Sequence, residues 1–222
     1  MNVKEWNKLT KEEQNKIIQN QKLSVEFIKK IWNSLDKQQR DFIMTHKKLP
    51  IKFIEKMWDT LTERQQDDIC VYQKLSIEFI EKIWNRLIEW QRDYMTIYQK
   101  LPTDFIEKIW NTLTKEQQDN ICVYQKLSID FIEKIWNTLA ENQRDLICER
   151  QKLSYNFIEQ IWSQLNKGQR DNICLYQKLS IDFIKKMWNS LTKEQRYYYY
   201  TREEDPLTKF VIRGLDKRNY QI

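Results

Sequence analysis

Residues 127–139 read LSIDFIEKIWNTL, and this stretch returns along the chain at an interval of 26 residues. A regular interval of roughly 20–50 residues indicates tandem structural repeats. We therefore predict seven repeats over residues 23–200, a partial repeat over residues 1–22 and a C-terminal capping tail over residues 201–222. Every Trp except Trp90 marks the interval: Trp6, Trp32, Trp58, Trp84, Trp110, Trp136, Trp162 and Trp188.

The apolar residues within one repeat follow helical spacing. In residues 101–126 the following side chains recur three or four positions apart, as on one face of a helix: Phe105, Ile106, Ile109, Trp110 and Leu113. Thr114 followed by Gln117 is a capping box that starts a second helix. The buried face of that helix is expected to continue through Ile121, Cys122 and Tyr124. Each repeat is therefore predicted to hold two helices, of about three turns and about two turns.

Such a helix pair is too small to bury its Trp, Phe and Ile side chains alone, so it must stack on its neighbours. The predicted fold class is all-α: an α-solenoid of about seven 26-residue two-helix repeats, with an N-terminal half-repeat as a cap. The composition agrees, because two Gly and three Pro among 222 residues exclude a fold with many tight turns. Four Tyr at residues 197–200 end the lattice. The tail residues expected to fold back over the last repeat are Phe210, Val211, Ile212 and Leu215.

The residue types that catalysis or metal binding needs do not form a site in the sequence. The chain has one His, His46, and no Gly-rich phosphate loop. Four Cys share one repeat position: Cys70, Cys122, Cys148 and Cys174. Neighbouring repeats are expected to separate this position by about 10 Å. That distance is too long for a disulfide or for a shared zinc ion. One recurring Asp is interpreted as the partner of a basic residue or as a helix cap: Asp41, Asp67, Asp93, Asp119, Asp145 and Asp171. We predict that the protein is not an enzyme and has no catalytic residue, cofactor or metal.

One position of the second helix alternates between apolar and polar residues: Phe42, Asp68, Tyr94, Asn120, Leu146, Asn172 and Tyr198. This position either faces solvent, where its aromatic residues would anchor a protein partner, or packs against the adjacent repeat. The third repeat adds apolar exceptions around Tyr94, and its off-lattice Trp90 lies one helical turn earlier. The predicted partner-binding residues are Trp90, Tyr94, Ile97, Ile88, Phe42 and Leu146.

Rows of Lys favour a different interpretation, in which the solenoid binds RNA or DNA. One Lys recurs in the first helix of six repeats, at a spacing that would follow phosphates: Lys30, Lys56, Lys82, Lys108, Lys134 and Lys186. The net charge is only +6, however, and the central repeats carry more acidic than basic residues. An acidic residue also precedes most of these Lys by four positions, as Glu78 precedes Lys82, which is ordinary helix pairing. Nucleic acid is therefore the alternative prediction.

The segments QKLSIEFI at residues 73–80 and QKLSIDFI at residues 125–132 resemble the tandem "QKLSEDFI"-type helical repeats of large DNA viruses and bacteriophages. The resemblance extends over residues 21–185, where the motif recurs at a regular interval. This chain differs from those repeats in the length of its period and in the Ile-Trp-Asn-x-Leu stretch that follows the motif. It implies a viral or phage source and no particular activity.

The sequence has no run approaching about 18 apolar residues and no apolar core near its N-terminus. We therefore expect a cytoplasmic protein in a reducing compartment, without a membrane partner. The leading interpretation is a non-enzymatic helical-repeat scaffold that acts by protein–protein binding, as a viral adaptor or an inhibitor of a host factor. The alternatives are a nucleic-acid-binding solenoid and a self-assembling structural protein.

Overall fold

The computed structural model describes residues 1–21, 23–202, 209–210 and 213–215. These residues form helices joined by short segments, and no strand occurs among them. The chain divides into two compact units, Met1–Phe105 and Ile106–Ile222. Across the described ranges, no helix is both long enough and apolar enough to cross a membrane.

The first unit begins with the partial repeat, which consists of α1 (Val3–Trp6) and α2 (Lys11–Asn20). Three complete helix pairs follow: α3 (Val25–Ile31) with α4 (Lys37–His46), α5 (Ile51–Met57) with α6 (Glu63–Tyr72), and α7 (Ile77–Ile83) with α8 (Glu89–Tyr98). The second helices pack in chain order, α2 on α4, α4 on α6 and α6 on α8. The helix α9 (Thr103–Ile109) begins in this unit.

The second unit repeats the same arrangement. Its remaining helices are α10 (Lys115–Tyr124), α11 (Ile129–Ile135), α12 (Glu141–Arg150), α13 (Tyr155–Ile161), α14 (Lys167–Tyr176), α15 (Ile181–Met187) and α16 (Lys193–Arg202). Here too the second helices pack in sequence, from α10 through α12 and α14 to α16. The stacking of helix pairs within each unit is that of an α-solenoid, as the sequence predicts.

Each first helix changes its winding at the lattice Trp, where a three-residue 3-10 turn begins. These turns are Trp32–Ser34, Trp58–Thr60, Trp84–Arg86, Trp110–Thr112, Trp136–Thr138, Trp162–Gln164 and Trp188–Ser190. The predicted capping boxes are present, since Gln65 accepts the amide proton of Thr62 and Thr62 Oγ1 accepts that of Gln65. The second helices are ten residues long, so the prediction of about two turns for them is wrong.

The carboxyl ends of the second helices are capped by the next repeat rather than by a glycine. Gln99 Oε1 accepts the N–H of Leu75 at 3.0 Å, while Gln99 Nε2 donates to the carbonyls of Cys70 and Gln73 at 2.7 Å each. The carbonyls of a last helical turn have no partner within the helix. Among the described residues no φ is positive, so the left-handed glycine cap is not used. The same bonds are made by Gln73, Gln151 and Gln177.

The first helices are joined by aromatic contacts between repeats. Trp58 meets Phe79 of the next repeat edge to face, with ring centroids 5.5 Å apart and planes at 85°. Edge-to-face pairs add about 0.5–1.5 kcal/mol to the free energy gained by burial. Equivalent pairs are Trp6–Phe27, Trp32–Phe53, Trp84–Phe105, Trp110–Phe131, Trp136–Phe157 and Trp162–Phe183. The apolar face predicted for the first helix is therefore confirmed as the core of the repeat.

The recurring Asp has a structural partner, but the partner is a neutral amide and not a base. Gln65 Nε2 donates to Asp41 Oδ1 of the preceding repeat at 2.9 Å. Because Gln65 also closes the capping box of its own helix, one buried side chain links two repeats. Asp67, Asp145 and Asp171 accept the corresponding bonds from Gln91, Gln169 and Gln195.

The 26-residue lattice ends in a run of four tyrosines at residues 197–200. Tyr199 takes the position of the lattice Ile and is buried. Arg213 Nε donates to the Tyr200 hydroxyl at 3.0 Å, and the guanidinium lies over the Tyr200 ring. Phe210 is exposed, so the prediction that its side chain packs over the last repeat is wrong. The same prediction for residues 211–212 lies outside the described residues.

Candidate binding surface

Three aromatic side chains follow one face of α8, the second helix of the third repeat. Trp90, Tyr94 and Tyr98 are spaced four residues apart, and residues at this spacing are neighbours on a helix surface. Trp90 is 47% exposed and Tyr98 is 55% exposed, whereas Tyr94 is half-buried with its ring centroid 6.4 Å from that of Tyr98. Met95 is buried on the other side of the helix and holds α8 to the core. We refer to Trp90, Tyr94, Ile97 and Tyr98 as the α8 surface.

Ile97 and Ile88 extend this apolar region, and both are half-buried. Ile88 occupies the N-cap of α8, where Thr62 and Thr114 of other repeats accept an amide proton through Oγ1. Ile88 has no side-chain acceptor, so only the bond from its own N–H to Gln91 Oε1, at 3.4 Å, remains of the capping box. The third repeat thus carries an apolar residue at a position where helix stability favours an oxygen.

Tyr98 was missed by the sequence reasoning, which treated its lattice position as buried. The prediction that Tyr124 continues the buried face is wrong, because Tyr124 is 58% exposed. Tyr124 follows the buried Gln117 by seven residues, so it lies only about 20° away on the helix surface. It is nevertheless exposed at the last residue of its helix, whereas the next residue, Gln125, is buried. The exposed members of this row are Tyr72, Tyr98, Tyr124 and Tyr176.

The other two predicted contact residues lie on other helices. Phe42, on α4, is half-buried and stacks on His46, with ring centroids 4.1 Å apart and planes at 4°. Because α6 packs on both α4 and α8, one helix separates Phe42 from the α8 surface. Leu146, on α12 of the second unit, is also half-buried. The alternating position is therefore neither fully exposed nor part of the core.

The neighbouring helix α6 carries an acidic residue at the alternating position. Asp68 occupies in α6 the position that Tyr94 occupies in α8. Burial raises the pKa of the Asp68 carboxyl, and the carboxylate of Asp41 raises it further. A carboxyl whose charged form is disfavoured is more compatible with an apolar partner than a fully ionised one.

The Cys row consists of buried thiols that form no disulfide. Cys70, Cys122, Cys148 and Cys174 are buried, which confirms the prediction of small core residues. Burial raises the pKa of the thiols of Cys70, Cys122 and Cys148 to about 12, so these groups are protonated and unreactive at neutral pH. The residues that the structure describes contain no cluster of three or more His, Cys, Asp or Glu arranged to hold a metal ion.

The six Lys of the first-helix row are exposed, as the nucleic-acid alternative requires. Acidic side chains are interleaved with them. Lys134 Nζ is 3.9 Å from Glu107 Oε2 of the preceding repeat, and Lys186 pairs with Glu159 in the same way. The row is thus a mixed-charge ladder in these repeats, which weakens its attraction for phosphates.

One place in the first unit departs from this ladder. Lys29 stands where the next five repeats have Glu, and Lys52 stands where most repeats have an acidic residue. Both line a cavity of about 470 Å³ together with Lys56, over Trp32 and Phe53. Of the predicted Lys row only Lys56 lines this cavity, and Lys29 Nζ is paired with Glu26 Oε1 at 2.7 Å.

No family model matches the chain, and no curated protein shows significant similarity to its sequence. A solved structure described as a leucine-rich repeat variant with a novel repetitive protein structural motif is similar to it, with a TM-score of 0.54 and 12% sequence identity. The match covers 96% of this chain and 79% of that chain. This similarity supports the all-helical repeat fold alone.

Proposed function

We propose that the protein is a non-enzymatic scaffold that binds a protein partner through the α8 surface. The observation that supports this most directly is Trp90, a large apolar side chain that the repeat does not need and that is nearly half exposed. Trp and Tyr are enriched among the residues that dominate protein–protein binding energies. The partner we propose is a protein segment that presents aliphatic or aromatic side chains to Trp90 and Tyr98.

The α8 surface combines the properties that such a contact needs. Its helix is fixed by Met95 and by the buried Gln91, whose Nε2 donates to Asp67 of the preceding repeat at 2.9 Å. A rigid helix loses little conformational entropy when it binds, so more of the contact energy appears as affinity. The tyrosine hydroxyls allow the same surface to remain hydrated when no partner is bound.

The test is selection of peptides from a displayed random library on the immobilised protein, followed by affinity measurement for the enriched peptides. We expect enrichment of apolar residues and a loss of affinity of about tenfold or more in the double variant Trp90→Ala/Tyr94→Ala. The matched control is Tyr124→Ala/Tyr176→Ala, which also removes two exposed or half-exposed rings but leaves α8 intact. Equal affinity for both double variants would show that the α8 surface is not the binding site.

Nucleic acid and self-association are separated by two further measurements. Capture from a cell lysate is repeated after nuclease treatment, and a contact made through RNA or DNA disappears. That result would replace the protein-binding proposal with the nucleic-acid alternative, whose candidate residues are Lys30, Lys56, Lys82, Lys108, Lys134 and Lys186. Light scattering against protein concentration detects self-assembly. A viral or phage source, as the repeat resemblance implies, would place the partner among host proteins.

A further inference from the structure

A cavity in the second unit lies at the junction between the fifth and sixth repeats. Its volume is about 590 Å³, within the range of roughly 300–1,000 Å³ typical of small-molecule sites. The rings of Tyr155 and Tyr176 line it, together with the basic side chains of Arg150, Lys152 and Lys178. Tyr155 is 44% exposed and Tyr176 is 54% exposed, so both rings are accessible from solvent.

Four of the residues that line this cavity are exceptions to the repeat. Tyr155 stands where the other six repeats have Val, Ile or Thr, and Asn156 stands where they have a charged residue. Arg150 replaces the exposed Tyr of the neighbouring repeats, and Glu149 is the one charged residue at its position. Stacking does not require these substitutions, because the other repeats form the same helices without them. Their convergence on one cavity points to a function of that cavity.

The substitutions add aromatic, amide and charged groups to the junction, and Arg150 and Glu149 contribute opposite charges. Asn156 removes the negative charge found there in most repeats and supplies an amide that both donates and accepts hydrogen bonds. Tyr155 adds an aromatic face where an aliphatic side chain is usual. Arg150 adds a planar cation, held in place by its ion pair with Glu149 at 2.9 Å. The result is a cationic site with aromatic surfaces and an amide.

We infer that this cavity binds a nucleoside phosphate, either as a free nucleotide or as one unit of a single strand. A base stacks on tyrosine rings or on a guanidinium plane, whichever base it is, because every base has an aromatic face. The ammonium groups of Lys152 and Lys178 supply the charge that the phosphate needs. Asn156 is the amide available to the edge of the base. This inference does not depend on the α8 surface, which belongs to the other unit.

Isothermal titration calorimetry with AMP, adenosine and inorganic phosphate tests the proposal on the full chain. We expect saturable binding of AMP that is tighter than binding of adenosine or of phosphate, because both recognition elements are used. The test variant is Arg150→Tyr/Tyr155→Ile/Asn156→Asp, which restores the residues of other repeats and is therefore expected to fold. Its affinity for AMP should fall by about tenfold or more, as expected for the loss of a stacking platform.

The control variant is Tyr124→Ala, which removes a ring of the same exposed row from outside the cavity and should leave AMP binding unchanged. A short oligoadenylate distinguishes the two sources, since tighter binding of the oligomer than of AMP indicates a single strand and equal binding indicates a free nucleotide. The proposal is overturned if millimolar AMP gives no saturable heat. It is equally overturned if phosphate binds as tightly as AMP, or if the restored variant binds AMP like the wild type.

Discussion

Trp84 and Trp90 lie six residues apart in the third repeat and have opposite surroundings. Trp84 is 4% exposed and meets Phe105 edge to face at 5.3 Å, while Arg92 Nε donates to its carbonyl at 3.4 Å. Trp90 is 47% exposed on the outer face of α8. The first belongs to the 26-residue lattice and the second does not. Trp84 recurs along the chain and joins one repeat to the next, whereas Trp90 is an exception that faces solvent.

The largest effect that tests this comparison is on stability. Replacing Trp84 by Ala removes a buried ring and leaves a cavity, so the free energy of unfolding should fall by about 3–5 kcal/mol. Trp90→Ala removes the same side chain from the surface and should change it by about 0.5 kcal/mol or less. Urea denaturation followed by circular dichroism measures both. Similar losses in the two variants would contradict the division into lattice and surface residues.

The second prediction concerns the amide bonds between repeats. Gln99→Ala leaves the N–H of Leu75 and the carbonyls of Cys70 and Gln73 without this side-chain partner, in a region closed to water. Leaving such groups unsatisfied should lower the free energy of unfolding by about 2–3 kcal/mol. The matched control is Gln38→Ala, an exposed Gln on α4.

Hydrogen exchange localises this second effect. We expect faster exchange of the Leu75 amide in Gln99→Ala and no change at that amide in Gln38→Ala. A Gln99→Ala protein as stable as the wild type would mean that these bonds do not close the end of α6.

The third prediction uses the buried thiols. Burial raises the pKa of Cys70 to about 12 from its ordinary value of 9.0. Between these pH values the unfolded chain loses its thiol proton first, so the native state becomes less stable as the pH rises through 9. Cys70→Ala removes this contribution. The stability difference between wild type and variant should therefore shift by about 1 kcal/mol from pH 8 to pH 10, as measured by urea denaturation. A difference that stays constant over this range would place the thiol in contact with water.

Reductant gives a simpler check of the same thiols. Because all four thiols are buried and none is part of a disulfide, adding reductant should leave the melting temperature unchanged. A lower melting temperature in reductant would indicate a disulfide.

The lattice made the fold predictable because its period reports contacts that every repeat must make. Local spacing predicts the apolar face of Phe105, Ile109 and Trp110. It also predicts the capping box that Thr114 forms with Gln117. The hydrogen bonds of Gln99 could not be predicted, since the groups it satisfies are 26 and 29 residues away in sequence. Repetition alone does not reveal which atoms an amide contacts.

The binding surfaces were predictable only in part, for a related reason. Trp90 stands out from the lattice, so the sequence identified it, and the structure confirms that it is exposed. Tyr98 is a regular lattice member, and the helical spacing that relates it to the buried Gln91 does not reveal its exposure. The cavity lined by Tyr155 and Arg150 could be identified only from the three-dimensional structure. The lining residues that depart from the repeat belong to the end of one repeat and the start of the next.

The smallest expected effect returns to the third repeat and concerns Ile88. Ile88→Thr supplies an Oγ1 to accept the amide proton of Gln91, as Thr62 does for Gln65 in α6. The free energy of unfolding should rise by about 0.5–1 kcal/mol. Ala140→Thr, at the equivalent uncapped position of α12, is the matched control and should gain a similar amount. If Ile88 belongs to the contact region around α8, Ile88→Thr should also weaken binding of the selected peptides, whereas Ala140→Thr should not. A stabilised Ile88→Thr protein with full peptide affinity would restrict the contact to Trp90, Tyr94, Ile97 and Tyr98, and would leave the missing cap without a functional reason.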